Sequence, residues 1–225
     1  MYLYIYIFIK ILFVQMFKIA IISQKGGAGK TTLAINLAVE AERQNLSSLL
    51  LDLDPQSSST EWGDARAEDY PVVMSTHASR MNKLIDKAES SNAKFVFIDT
   101  APHSENSALE AAKIADIVLI PCRAGILDIK AIQSSLNICS LAKTNALVVL
   151  NAIPSQHAIA DEAREAIKII GGHVCQFSIG QRIAFNHAMT IGQGVVEFDI
   201  KSKASIEIQN IFNLINKVIT NDYKK

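Results

Sequence analysis

The eight residues Lys25-Gly26-Gly27-Ala28-Gly29-Lys30-Thr31-Thr32 constrain this chain more than any other stretch. Before them, Phe17 to Ser23 is a β-branched apolar run that reads as a buried strand. After them, Thr32 to Arg43 reads as an apolar helix through Leu33, Ile35, Leu37, Ala38 and Ala41. Strand, glycine-rich turn and helix in that order are the setting a phosphate-binding loop requires. The glycines let the backbone curl so that successive N–H groups face an anion. The start of the helix adds unpaired N–H groups and the positive end of its dipole. In this setting Lys30 reaches the β- and γ-phosphates, and the Thr31 hydroxyl is placed to ligate Mg²⁺.

Strong apolar runs alternate with helical patterns through the rest of the chain. Strands are expected at Ser48 to Asp52, continuing towards Gln56, at Val72 to Met74 and at Lys94 to Asp99. Further strands are expected at Ile117 to Ile120, stopped by Pro121, at Ala146 to Leu150, ending at Asn151, and at His173 to Phe177. Helices are expected at Glu61 to Asp69, Ser79 to Ala88, Glu105 to Ala115, Asp128 to Ala142, Ile159 to Ile170 and Ala204 to Ile219. Gly171-Gly172 is a stop signal for the helix before it. Continuous rather than alternating apolar strands fit a sheet covered on both faces. The fold class is therefore α/β: a doubly wound, mainly parallel sheet with helices on both faces, in one domain over residues 16–225. Ligands of such sheets sit beyond the carboxyl ends of the strands, near a topological switch point.

The carboxylates fall where that rule directs. Asp99 ends an apolar strand, a costly place for a charge unless it meets a cation, and Mg²⁺ would supply one. Asp52 and Asp54 are two apart, so on a strand they share a face and call for a metal, a lysine or a polarised water between them.

Composition narrows the partners. The formal net charge is zero, so no global basic field draws the chain to nucleic acid or acidic membrane, and any such binding uses a local patch or one assembled by pairing. Arg182, Lys201, Lys203 and Lys217 are the late basic residues available for DNA. Three scattered cysteines, Cys122, Cys139 and Cys175, have no metal-type spacing and suit a reducing compartment. Residues 1–15 are almost wholly apolar, with one lysine, and abut the first strand without a linker. They lack the features of a signal peptide and are short for a span, so an upstream start-site extension is expected, with a peripheral anchor as the alternative.

One departure within the loop is informative. Where the ordinary pattern has its first glycine this chain has Gln24, and a second lysine, Lys25, follows it. This deviant loop, Asp52-Leu53-Asp54-Pro55-Gln56 and Asp99-Thr100-Ala101-Pro102 together resemble the three-motif signature of the ParA/MinD ATPases. The stretch from Ile179 to Asp199 is similar to that family's C-terminal segment. The nearest pattern is that of the small, ParF-like partition ATPases. The resemblance implies an ATP/ADP site lined by Lys25, Gly26, Gly27, Ala28, Gly29, Lys30, Thr31 and Thr32, with Gln56 in a switch segment and Asn151 and Arg182 near the adenine. It implies Mg²⁺ held by Thr31 and by Asp99 through water, with Asp52 in the same network. Asp54 would position or activate the attacking water, and Lys25 would reach the nucleotide of a second protomer. It further implies an ATP-dependent homodimer, non-specific DNA binding, a ParB-like partner that stimulates hydrolysis, and a cytoplasmic, nucleoid-associated location. A MinD-like membrane-cycling regulator and a metabolic ATP-dependent enzyme are the alternative readings on the same scaffold. The C-terminal helix lacks the dense lysines a membrane tail would carry, so membrane is not the expected partner.

Overall fold

The computed structural model describes residues 15–154 and 157–222. The expectations for the leading apolar segment therefore lie almost wholly outside the described residues. Seven parallel strands form one sheet in the order β3-β2-β4-β1-β5-β6-β7. They are β1 (Phe17–Ile21), β2 (Ser48–Asp52), β3 (Val72–Ser75), β4 (Phe95–Asp99), β5 (Ile117–Cys122), β6 (Ala146–Ile153) and β7 (Val174–Gly180). The helices are α1 (Lys30–Arg43), α2 (Ser58–Asp64), α3 (Ala78–Ser90), α4 (Glu105–Ile114), α5 (Ile126–Ala142), α6 (His157–Ile169), α7 (Ile183–Thr190), α8 (Val195–Phe198) and α9 (Lys203–Asp222).

Alternation along each strand divides the interior into two cores. Ile19, Ile21, Leu50, Phe95 and Phe97 face one side, where α1, α2 and the helices from α7 to α9 supply Leu33, Leu37, Trp62, Phe185, Val195 and Phe212. Ala20, Ile22, Leu51, Val96 and Ile98 face the other, against Met81, Ala111, Ile132 and Ile167 of the helices from α3 to α6. Helix α1 has little amphipathic contrast because it is sandwiched between the sheet and α9, and its residues from Leu33 to Ala41 are all buried. No helix among the described residues is long and apolar enough to cross a membrane.

Several elements differ from the sequence expectation: α2 spans Ser58–Asp64 rather than Glu61 to Asp69, and β7 runs on to Gly180 rather than ending at Phe177. Strand β5 runs through Pro121 instead of stopping before it. The carbonyl of Leu119 accepts the Ile22 N–H at 3.0 Å, so odd-numbered residues of β5 direct their peptide groups towards β1. By Pro121, two residues on, β1 has already turned away, and the missing N–H costs no ladder bond. Strand β6 continues past Asn151 to Ile153. The helices α7 and α8 are additions, held by distant contacts: the Asn36 side chain accepts the Val195 N–H at 2.8 Å. The stop after α6 lies where expected, with Gly171 at φ +84° and the Gly172 N–H on the Ile167 carbonyl at 3.0 Å.

The chain leaves β1 for β2 on one side of the sheet, skipping β4, and crosses β1 again between β4 and β5. The strand order thus reverses around β1, and the glycine-rich loop springs from its carboxyl end.

Candidate nucleotide site

The loop is shaped by glycine at two positions in particular. Gly27 has φ +71° and Gly29 φ +95°, conformations that a side chain opposes. At Gly29 space is lacking as well: a Cβ there would lie 2.1 Å from Asn151 Nδ2. That amide donates to the Ala28 carbonyl at 2.8 Å, so β6 props the loop from beneath. Lys30 opens α1 and is buried; desolvation lowers its pKa, while Asp99 and Asp54 act to raise it.

Asp99, at the end of β4, is fully buried. Its Oδ2 accepts the Thr31 hydroxyl at 2.7 Å and the Ser59 hydroxyl at 2.8 Å. Its Oδ1 has no hydrogen-bond partner among the described residues. Burial pushes this carboxyl up to about 6; the two hydroxyl bonds pull it down, Asp52 adds to the rise and Lys30 opposes it. A buried carboxylate oxygen without a partner, on a group already bonded to the Thr31 hydroxyl, is the oxygen chemistry a hard cation such as Mg²⁺ takes while keeping several waters.

Asp52 and Asp54 do not share a strand face. Strand β2 ends at Asp52, and the Asp54 N–H donates to Asp52 Oδ1 at 3.0 Å, which draws the chain into a turn. Asp52 Oδ2 accepts the Thr60 N–H at 2.9 Å and its hydroxyl at 3.0 Å. Asp52 is thus engaged in shaping the turn and the first turn of α2, while Asp54 lies beyond the strand.

A cleft of about 480 Å³ gathers Gly27, Gly29, Lys30, Thr31, Thr32 and Asp54 with Pro102, Asn151, Ala152, Gln181 and Arg182. Ala152 has φ +52°, a strained conformation for a residue with a side chain, and its N–H bonds to Asn151 Oδ1 at 2.9 Å. Arg182 is held by Glu207, with Nε 3.0 Å from Oε2. Gly26, Ala28, Asp52, Asp99 and Gln56 are not among the residues lining the cleft. Gln56 is exposed and lines a neighbouring groove of about 580 Å³ with Asp54, His77 and Pro102. Lys25 also stands outside the cleft, its Nζ 2.7 Å from Asp128 Oδ1 on α5. His103 has φ +56° in the loop after β4, whose Thr100 hydroxyl is fastened to the Ile21 carbonyl at 2.9 Å.

Sequence reasoning missed Ser59, Arg123, Phe185 and Asn186. The last three line the cleft, and Ser59 bonds Asp99. Arg123 follows a strong strand at its carboxyl end, a position that could have singled it out. Ser59 carries no such mark in a polar segment, and Phe185 and Asn186 belong to a helix that was not anticipated.

Glycine-rich loop, buried lysine and hydroxyl-bonded aspartate at the reversal point define a nucleotide-binding α/β domain. Residues 19–195 match the model of the CobQ/CobB/MinD/ParA nucleotide binding domain, and the chain belongs to that family. It is 28% identical over 215 residues to the maintenance of carboxysome distribution protein A of Halothiobacillus neapolitanus, covering 91% of this chain and 97% of that one. In fold it resembles MinD in the MinC:MinD cell division protein complex of Aquifex aeolicus, with TM-score 0.73 and 19% identity over 89% of this chain and 96% of that one. It likewise resembles Cyanothece McdA in complex with ATP, with TM-score 0.69 and 19% identity over 91% and 96% of the two chains.

Proposed function

We propose that this protein is a Mg²⁺-dependent ATPase that positions a cellular cargo by switching with its nucleotide. ATP joins two copies into a dimer that binds DNA without sequence preference, and hydrolysis stimulated by a ParB-like partner resets it. The observation that carries the reading is the Asp99 carboxylate, buried with one oxygen open, bonded to the Thr31 hydroxyl of the loop. Family membership supports nucleotide turnover. A relative matched over nearly its full length is named for carboxysome distribution, which supports a cargo that is a protein body as readily as a DNA molecule.

In this mechanism the loop N–H groups and Lys30 hold the phosphates, and Asp54, at the cleft wall, orients the attacking water. Thr31, and Asp99 through water, would hold Mg²⁺, with Asp52 ordering the turn beside them, and the ion would supply neutralisation of the phosphate charge. Asn151 and Arg182 border the base. Lys25 exchanges Asp128 for the nucleotide of the second copy on pairing. The protein works in the cytoplasm, on the nucleoid while ATP is bound.

Size-exclusion chromatography and DNA co-sedimentation of Asp54→Ala with ATP and with ADP test this. A dimer that sediments with DNA of unrelated sequence in ATP alone is expected. A monomer that ignores DNA in both nucleotides overturns the reading.

A further inference from the structure

Three cations line the cleft: Lys30, Arg123 and Arg182. Two of them are engaged. Lys30 is buried in the field of Asp99 and Asp54, and the Arg182 guanidinium bonds Glu207 through Nε at 3.0 Å. Lys25, just outside, is paired with Asp128. The exposed Arg123 side chain has no hydrogen bond or ion pair among the described residues.

Its position follows from the sheet. Strand β1 pairs with β5 no further than Ile21 opposite Leu119, whereas β5 pairs with β6 up to Cys122 opposite Leu150. At about 3.3 Å per residue, β5 overshoots its neighbour by roughly 10 Å and brings Arg123 level with the loop that leaves β1. The backbone there is held by the Cys122 thiol, which donates to the Arg123 carbonyl at 3.1 Å. Arg123 is therefore an unpaired guanidinium at a defined place on the wall of a concave site whose loop is built for anions.

A guanidinium carries five N–H donors in a planar fork that matches a phosphate oxygen pair. Resting on the nucleotide reading above, we propose that Arg123 binds the phosphate chain of the nucleotide in its own protomer and makes affinity rise with phosphate charge. Arg123 adds the positive charge that Lys25 withholds while it is paired with Asp128.

Calorimetric titration of the full chain in Mg²⁺ buffer tests this, comparing wild type, Arg123→Gln and Arg123→Lys with ADP and with a non-hydrolysable ATP analogue. For Arg123→Gln the triphosphate analogue should bind about tenfold more weakly and ADP no more than about threefold, the scale of a part-exposed charge-assisted contact. Arg123→Lys should recover part of the loss, since it keeps the charge without the fork. Unchanged affinities, or equal losses for the two nucleotides, overturn the assignment. A wild type that binds neither nucleotide defeats the function reading beneath it; a wild type that binds both while Arg123→Gln matches it defeats this assignment alone.

Discussion

Asp99 carries a charge that its own burial disfavours. Its carboxyl titrates near 3.8 in an unfolded chain and near 6 in the fold. Between those values the folded state holds the extra proton, so stability falls as pH rises through the window and stays lower above it. A shift of two units corresponds to about 3 kcal/mol. Asp99→Asn removes the charge and keeps an acceptor for the Thr31 and Ser59 hydroxyls. In urea denaturation without metal or nucleotide, its stability relative to wild type should rise by about 2 kcal/mol from about pH 4 to about pH 7, while ATP turnover is lost. A difference that does not change with pH would show that the buried charge is not the cause. Asp99 was legible in the sequence because an acidic residue closing an apolar run stands out. The role of Asp52 in its turn was not, because it depends on where the strand stops, and that is decided by hydrogen bonds to Asp54 and Thr60.

Among the elements, α2 spans the distance between the site and the C-terminal segment. Ser59 and Thr60 in its first turn bond Asp99 and Asp52. At its other end Trp62 Nε1 donates to the Gln193 carbonyl at 3.3 Å, and Arg66 lies 4.7 Å over the Trp62 ring. Arg66 reaches the Gly192 carbonyl at 2.8 Å and Glu197 at 2.8 Å, with its side chain almost wholly buried. Removing one partner of such a pair leaves the other uncompensated, so Arg66→Ala should cost about 2–3 kcal/mol, discounted because Glu197 is partly exposed. Hydrogen exchange followed by mass spectrometry should show faster exchange from Gly192 to Glu197; unchanged exchange there would mean that the clasp does not order the segment. The elements that sequence alone revealed are those whose order comes from within, chiefly continuous apolar strands and multi-turn helices. Helices α7 and α8 are too short for periodicity to declare them. Helix α8 is ordered by residues far away in the chain, Asn36 and Val39, the latter only 2.9 Å from where a Cβ on Gly194 would stand, and α7 rests on the core through Phe185 and Ala188.

Across the whole molecule the two cores enclose every cysteine. Burial pushes the Cys122 thiol up to about 12 and Cys139 up to about 11, and raises Cys175 as well. Since the thiolate is the reactive form, the native protein should resist a chromogenic disulfide reagent at pH 8 and release the colour of three thiols on unfolding in urea. Rapid labelling of any thiol in the native state would show that one core opens readily. Doubly wound architecture was evident from the alternation of strands and helices, and the reversal point could be anticipated from the loop. The meshing of distant segments could not, and it has a consequence for how such a chain can change over generations. Gly29 and Asn151 occupy one small volume, with the Asn151 amide where a side chain at position 29 would begin. A lineage that enlarges residue 29 meets two obstacles at once, the Asn151 amide that props Ala28 and a backbone at φ +95° that opposes any side chain, so giving up the amide alone does not open the position.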